Sequence, residues 1–73
     1  MEYLMVQYPR KRNVLIKGQV VGATNEVIEL EGGSYTVELS PPANYTPPSR
    51  KVVLADTSAL DPKTIAFEPV KWS

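Results

Sequence analysis

The chain has no cysteine and no histidine among its 73 residues. The absence of cysteine excludes disulfides, and the two absences together exclude the usual zinc ligands. Without histidine, none of the serines has the customary base that activates a hydroxyl as a nucleophile. We therefore expect a protein that is not an enzyme and that binds no cofactor or metal ion.

Net charge is also missing, because 8 Lys and Arg balance 8 Asp and Glu. No broad basic field is available to attract nucleic acid, and weak charge repulsion favours association with protein. No apolar run approaches the roughly 20 residues of a membrane span. The N-terminus lacks the basic start and apolar stretch of a secretory signal. These features predict no membrane span and, if the 73 residues are the complete chain, a cytoplasmic location.

The length predicts a single domain over residues 1–73. A domain of this size buries only roughly 60% of the surface that its unfolded chain exposes, so its core is marginal. Packing alone must hold it together, or a second chain must help. A protein partner or self-association is therefore expected.

A two-residue turn is predicted at Gly32-Gly33. It places Leu30 opposite Tyr35 and Ile28 opposite Val37 on one apolar face. This pattern indicates an antiparallel hairpin that covers a core.

A second hairpin is predicted at Gly18-Gln19, where glycine in the first turn position suits a type II′ turn. This turn sets Ile16 against Val21 and Val14 against Ala23. Further strands are predicted at residues 3–8, at 50–55 and, near the C-terminus, at about 63–69.

Two connections are indicated by turn and breaker residues. Four prolines between positions 41 and 48 exclude a central strand or helix and predict a rigid connection. Tyr45, in the middle of that connection, is expected to pack on the core. Asp56 is predicted to cap one helical turn over residues 56–60, which Pro62 prevents from extending.

Taken together, these elements predict an all-β fold, a small antiparallel β-sandwich of six or seven short strands rich in hairpins. The predicted core consists of the inward residues of those strands: Val14, Ile16, Val21, Ile28, Leu30, Tyr35, Val37, Leu39, Val52, Leu54, Ile65 and Phe67.

Several positions between about 9 and 54 follow the spacing of turns and alternating residues in a known family. They are Pro9, Val14, Ile16, Gly18, Val20, Val21, Gly22, Thr24, Gly33, Tyr35, Val37, Leu39, Tyr45 and Pro47. This pattern resembles the PEGA domain, a small β-sandwich module of bacteria and archaea. Two positions depart from the family: its Pro-Glu-Gly-Ala is here Pro9-Arg10-Lys11-Arg12, and Asn25 stands where a proline is usual. The resemblance implies a non-catalytic interaction module, of the kind often attached to surface proteins, lipoproteins or kinases.

The function predicted first is therefore a non-enzymatic interaction or structural module. We expect an accessory subunit that joins a larger assembly by pairing a strand with an exposed sheet edge. Residues 3–8 are predicted to be that edge. On that edge Tyr3, Met5 and Tyr8 are predicted to contact a partner. Trp72 is predicted to do so as well, since tryptophan is frequent at interface centres.

Two alternatives remain open. The cluster Arg10-Lys11-Arg12 beside Tyr8, with Lys17 as a further candidate cation, predicts a small nucleic-acid-binding barrel, with the cations on phosphates and the ring on a base. The same cluster also suits a solvated loop that guards a sheet edge, which the zero net charge favours. An enzyme acting on carbohydrate or phosphate would need carboxylates with raised pKa values, and Asp56 and Asp61 are the candidates.

Overall fold

Nine β-strands and no helix make up residues 1–70, the part of the chain that the computed structural model describes. In chain order the strands are β1 (Glu2–Gln7), β2 (Asn13–Ile16), β3 (Gln19–Ala23), β4 (Val27–Leu30), β5 (Gly33–Leu39), β6 (Tyr45–Thr46), β7 (Arg50–Leu54), β8 (Lys63–Ala66) and β9 (Glu68–Pro69). The prediction of an all-β fold is confirmed. Residues 1–70 include no helix long and apolar enough to cross a membrane.

The strands form three sheets. A three-stranded sheet has the order β4-β1-β8, a four-stranded sheet has the order β3-β2-β5-β7, and β6 pairs with β9. All neighbours are antiparallel except β1 and β8, which run parallel with Leu4 beside Lys63. This parallel pair was not predicted, because it joins distant segments and leaves no local turn signal.

The three-stranded and four-stranded sheets contribute to one hydrophobic core. Its buried residues are Leu4, Val6, Tyr8, Val14, Ile16, Ile28, Val37, Leu39, Tyr45, Val52, Leu54, Ile65 and Phe67. Every predicted core residue is among them except Val21, Leu30 and Tyr35, which pack against the cluster partly buried. The prediction that Tyr45 packs on the core is confirmed, and its ring meets Phe67 edge to face at a centroid distance of 5.4 Å.

The predicted hairpin at Gly32-Gly33 is wrong. β4 pairs with β1, where Leu30 faces Glu2, whereas β5 pairs with β2 and β7 in the other sheet. The glycine pair is therefore the crossing between the two sheets. Gly33 has a φ of 148°, a conformation that is nearly restricted to glycine.

The hairpin of β2 and β3 exists, but its predicted turn and register are wrong. The turn residues are Lys17-Gly18, and their φ values of 53° and 76° are those of a type I′ turn. Ile16 therefore faces Gln19, not Val21, and a β-bulge shifts the register further along the pair. Because Lys17 itself adopts the left-handed conformation, the turn begins one residue earlier than predicted and Gly18 takes its second central position.

The predicted helical turn over residues 56–60 is also wrong. Asp56 has a φ of 57°, and Ser58 and Asp61 form a short antiparallel bridge through both backbone pairs, at 3.2 and 3.0 Å. The backbone N–H of Thr57 donates to the Glu2 carboxylate at 2.9 Å. Asp56 therefore caps no helix, since its own backbone is left-handed and the Ser58 N–H that it would cap donates to the Asp61 carbonyl.

Candidate interaction site

The segment predicted as the exposed edge, residues 3–8, is the centre of its sheet. β1 pairs with β4 on one side and with β8 on the other, so the edge prediction is wrong. Tyr3 and Met5 are half-buried, and Tyr8 is only 4% exposed. The structure therefore does not bring these three residues together on one open surface. Trp72 lies outside the described residues.

The Arg12 guanidinium is committed to the fold. Nη1 donates to the carbonyl oxygens of Ser40, at 2.9 Å, and Pro42, at 3.0 Å, and Nη2 donates to Asn44 Oδ1. The same group lies 5.5 Å from the centroid of the Tyr8 ring. This arrangement ties the proline-rich connection to the start of β2, and the Tyr8 ring is covered, so it is not free to stack on a base.

Arg10 and Lys11 are exposed. Lys11 Nζ lies 3.6 Å from Glu26, with both side chains mostly in solvent, so this pair stabilises the fold very little. Of the cluster Arg10-Lys11-Arg12, only Arg10 and Lys11 are therefore placed where an external phosphate can reach them, and Lys17 is exposed as well.

Glu2 has a lowered pKa, and its carboxylate holds the loop after β7 in place through Thr57. The Thr57 hydroxyl donates to Glu2 Oε1 at 2.6 Å and the Thr57 N–H donates at 2.9 Å; these bonds lower the pKa of Glu2 below its ordinary value of 4.5. The Tyr3 N–H donates in turn to the Thr57 hydroxyl oxygen at 2.7 Å. A lowered carboxyl pKa suits a structural anion and does not suit a general acid at neutral pH.

β5 has different neighbours along its length. It pairs with β7 over residues 33–37 but with β2 only over 37–39. We call Gly33–Thr36 the open half of β5 and Val37–Leu39 the closed half. Among residues 1–70, the open half has a strand partner on one side only.

The hydrogen bonds of Leu39 show which backbone groups face the open side. Its N–H donates to the Tyr45 hydroxyl at 3.2 Å, and its C=O accepts from that hydroxyl at 2.8 Å. Both groups therefore point away from β2. Backbone groups alternate along an antiparallel strand, so those of Ser34 and Thr36 point toward the open side.

A concavity of about 630 Å³ lies beside the open half. It is bounded by the β2–β3 hairpin, by β5 and by β7. Its apolar lining residues are Ile16, Val21, Tyr35, Val52 and Val53, and its polar ones are Lys17, Gln19, Ser34, Thr36 and Lys51. The volume is in the range of small-molecule sites, and it also admits a large apolar side chain of a partner strand.

Sequence reasoning missed this site because it paired β5 with β4. The signal is a mismatch in strand length, since β5 has 7 residues and β2 has 4. The mismatch carries meaning only once β2 is known to be the neighbour.

No protein family model matches the chain, and no curated protein or solved structure matches it either. The resemblance to the PEGA domain thus stays a prediction. What the chain does has to follow from the geometry of its own residues.

Proposed function

We propose that the protein is a non-enzymatic interaction module, an accessory subunit that joins a larger assembly through a sheet edge. The observation that carries this proposal is the open half of β5, a one-sided strand beside an apolar concavity. A partner strand placed there pairs with the backbone groups of Ser34 and Thr36 and continues the line of β2. Main-chain bonds supply affinity in this mode, and the concavity selects a side chain.

The lateral edges of the two sheets are less suited to this role. The Arg50 guanidinium on β7 donates to the Ala66 carbonyl on β8 at 2.9 Å, so its side chain spans these two edges. On the opposite side, a Cβ added to Gly22 of β3 would lie only 2.6 Å from Ile28 Cγ1 of β4. β3 therefore packs directly on β4 at this position.

The polar arrangements of residues 1–70 support a structural role for most of the chain. Arg12 holds the proline-rich connection, Glu2 holds the loop after β7, and Tyr45 satisfies the backbone of Leu39. Every fully buried side-chain nitrogen or oxygen in the described residues has a hydrogen-bond partner. The open half of β5 has a strand partner on one side only within the described residues, and a strand of this kind can pair with another chain.

Val53→Glu and Val20→Glu form a matched pair of variants. Val53 is 64% exposed and Val20 is 61% exposed, and both lie on outer strands of the four-stranded sheet, but only Val53 lines the concavity. We expect each substitution to change the free energy of unfolding by less than about 0.5 kcal/mol. Affinity capture from the source cells should recover a stoichiometric protein companion with the wild type and with Val20→Glu, and none with Val53→Glu.

Hydrogen exchange tests the strand pairing directly. On binding of the companion, the amides of Ser34 and Thr36 should exchange at least about tenfold more slowly, because each gains a main-chain acceptor. Loss of capture with Val20→Glu but not Val53→Glu would contradict the proposal, as would unchanged exchange at both amides in the complex.

A further inference from the structure

The concavity beside the open half of β5 has a positive rim. Lys17 and Lys51 line it, both are exposed, and none of its lining residues is acidic. Neither lysine forms an ion pair with a carboxylate in residues 1–70, whereas Lys11 pairs with Glu26. In a chain without net charge, this is a local excess of positive charge.

The two lysines stand on different sides of the open half. Lys51, on β7, is aligned with Thr36, and Lys17 follows Ile16, which is aligned with Val37. The concavity that they line also presents apolar side chains, the half-buried Tyr35 and the exposed Val53. An incoming strand therefore meets an apolar surface with a cation near each side.

We infer that the partner segment is an extended acidic strand: an apolar side chain enters the concavity, and Asp or Glu residues beside it meet Lys17 and Lys51. This inference rests on the proposed function, and it adds the chemistry of the partner. Charge complementarity of this kind rejects basic segments and accelerates association, while the main-chain bonds hold the complex.

The expected contribution of each lysine is modest because both are exposed. Removing one cation should weaken binding about threefold, and the effect should shrink as the ionic strength rises. Lys17→Asn is the suitable variant at the turn, since asparagine tolerates the positive φ of that position. Lys51→Gln is the second variant, and Lys63→Gln on β8 is the matched control, because Lys63 does not line the concavity.

The test is a selection of phage-displayed random peptides on the immobilised full chain, with the Val53→Glu protein used to remove peptides that bind elsewhere. We expect the surviving peptides to combine an apolar residue with flanking Asp or Glu. Fluorescence anisotropy with a synthetic copy of the most enriched peptide should then show weaker binding to Lys17→Asn and to Lys51→Gln, and unchanged binding to Lys63→Gln.

The outcomes separate the inference from the proposed function. Surviving peptides without acidic residues, or equal affinity for all three lysine variants, overturn the acidic partner and leave the sheet-edge function standing. A selection that yields no peptide dependent on Val53 counts against both. If sedimentation finds the wild type dimeric and Val53→Glu monomeric, the occupant is a second copy of the chain, and the acidic partner is rejected.

Discussion

The open and closed halves of β5 belong to one strand, but they differ in what binds the backbone groups that no neighbouring strand reaches. In the closed half, Leu39 is 2% exposed and its N–H and C=O both bind the Tyr45 hydroxyl. In the open half, the corresponding backbone groups of Ser34 and Thr36 have no strand beside them in residues 1–70. Each half lacks one neighbouring strand over part of its length, but only the closed half has a side chain in place of that strand.

This difference shows how a small sheet leaves one edge available for pairing. A tyrosine hydroxyl is both donor and acceptor, so a single group replaces two main-chain bonds at Leu39. The proline-rich connection that carries Tyr45 is itself held by Arg12. The closed half is thus held by successive contacts from Arg12 to the connection and from Tyr45 to Leu39. In the open half, the backbone groups of Ser34 and Thr36 are left for a partner strand.

The two halves should differ most in how much free energy of unfolding is lost when a side chain is truncated to alanine. Leu39→Ala removes a buried side chain from the core and should lower the free energy of unfolding by about 2–5 kcal/mol. Thr36→Ala, on an exposed position of the open half, should change it by less than about 0.5 kcal/mol. Urea denaturation of both variants measures the two free energies of unfolding. A similar decrease in both would show that the open and closed halves do not differ in this respect.

Removal of a tyrosine hydroxyl compares the two halves with one substitution. Tyr45→Phe leaves the buried N–H and C=O of Leu39 without a partner and should cost about 1–3 kcal/mol of unfolding free energy. The hydroxyl of Tyr35 donates to the Glu31 carbonyl at 2.6 Å in an exposed place, where water replaces it. Tyr35→Phe should therefore cost less than about 0.5 kcal/mol. Thermal or urea unfolding of both variants measures the difference. A larger loss of unfolding free energy in Tyr35→Phe than in Tyr45→Phe would show that side chains hold the open half as well.

The smallest expected effect concerns the loop beside the open half and depends on pH. Because the pKa of Glu2 is lower in the folded chain than its ordinary 4.5, the ionised carboxylate stabilises the fold above that value, and this stabilisation is lost as the pH falls through the folded pKa. Glu2→Gln should thus be less stable than the wild type near pH 7, and the difference should shrink as the pH is lowered from about 4.5 toward about 3. Urea midpoints of both proteins at the two pH values provide the measurement.

Thr57→Val is the control for this pH effect. It removes the hydroxyl that donates to Glu2 and keeps the side-chain shape. It should reduce the pH dependence without abolishing it, since the Thr57 N–H still donates to the carboxylate. A difference between wild type and Glu2→Gln that persists at low pH would mean that the charge of Glu2 is not its cause.

The alternation of residues indicated the buried side chains of most strands, although the buried Leu4, Val6 and Tyr8 were not among the predicted core residues. Val14, Val37 and Leu54 were assigned to the core from this pattern, and all are buried. Tyr45 was assigned to the core from its place among prolines, and it is buried as well. The all-β class follows from the same pattern and from the turn residues, because both are local properties of the sequence.

Only the tertiary structure decided which strand lies beside which. Main-chain hydrogen bonds between strands are the same for every side chain, so alternation indicates a face and not a neighbour. The residue pattern therefore does not indicate that β4 and β5 separate at Gly32-Gly33 or that β1 is the central strand of its sheet. It also does not indicate that the Arg12 guanidinium binds the carbonyl of Ser40. The open half of β5 arises in the same way: its missing neighbour follows from how the whole chain packs its core, and no local residue pattern encodes it.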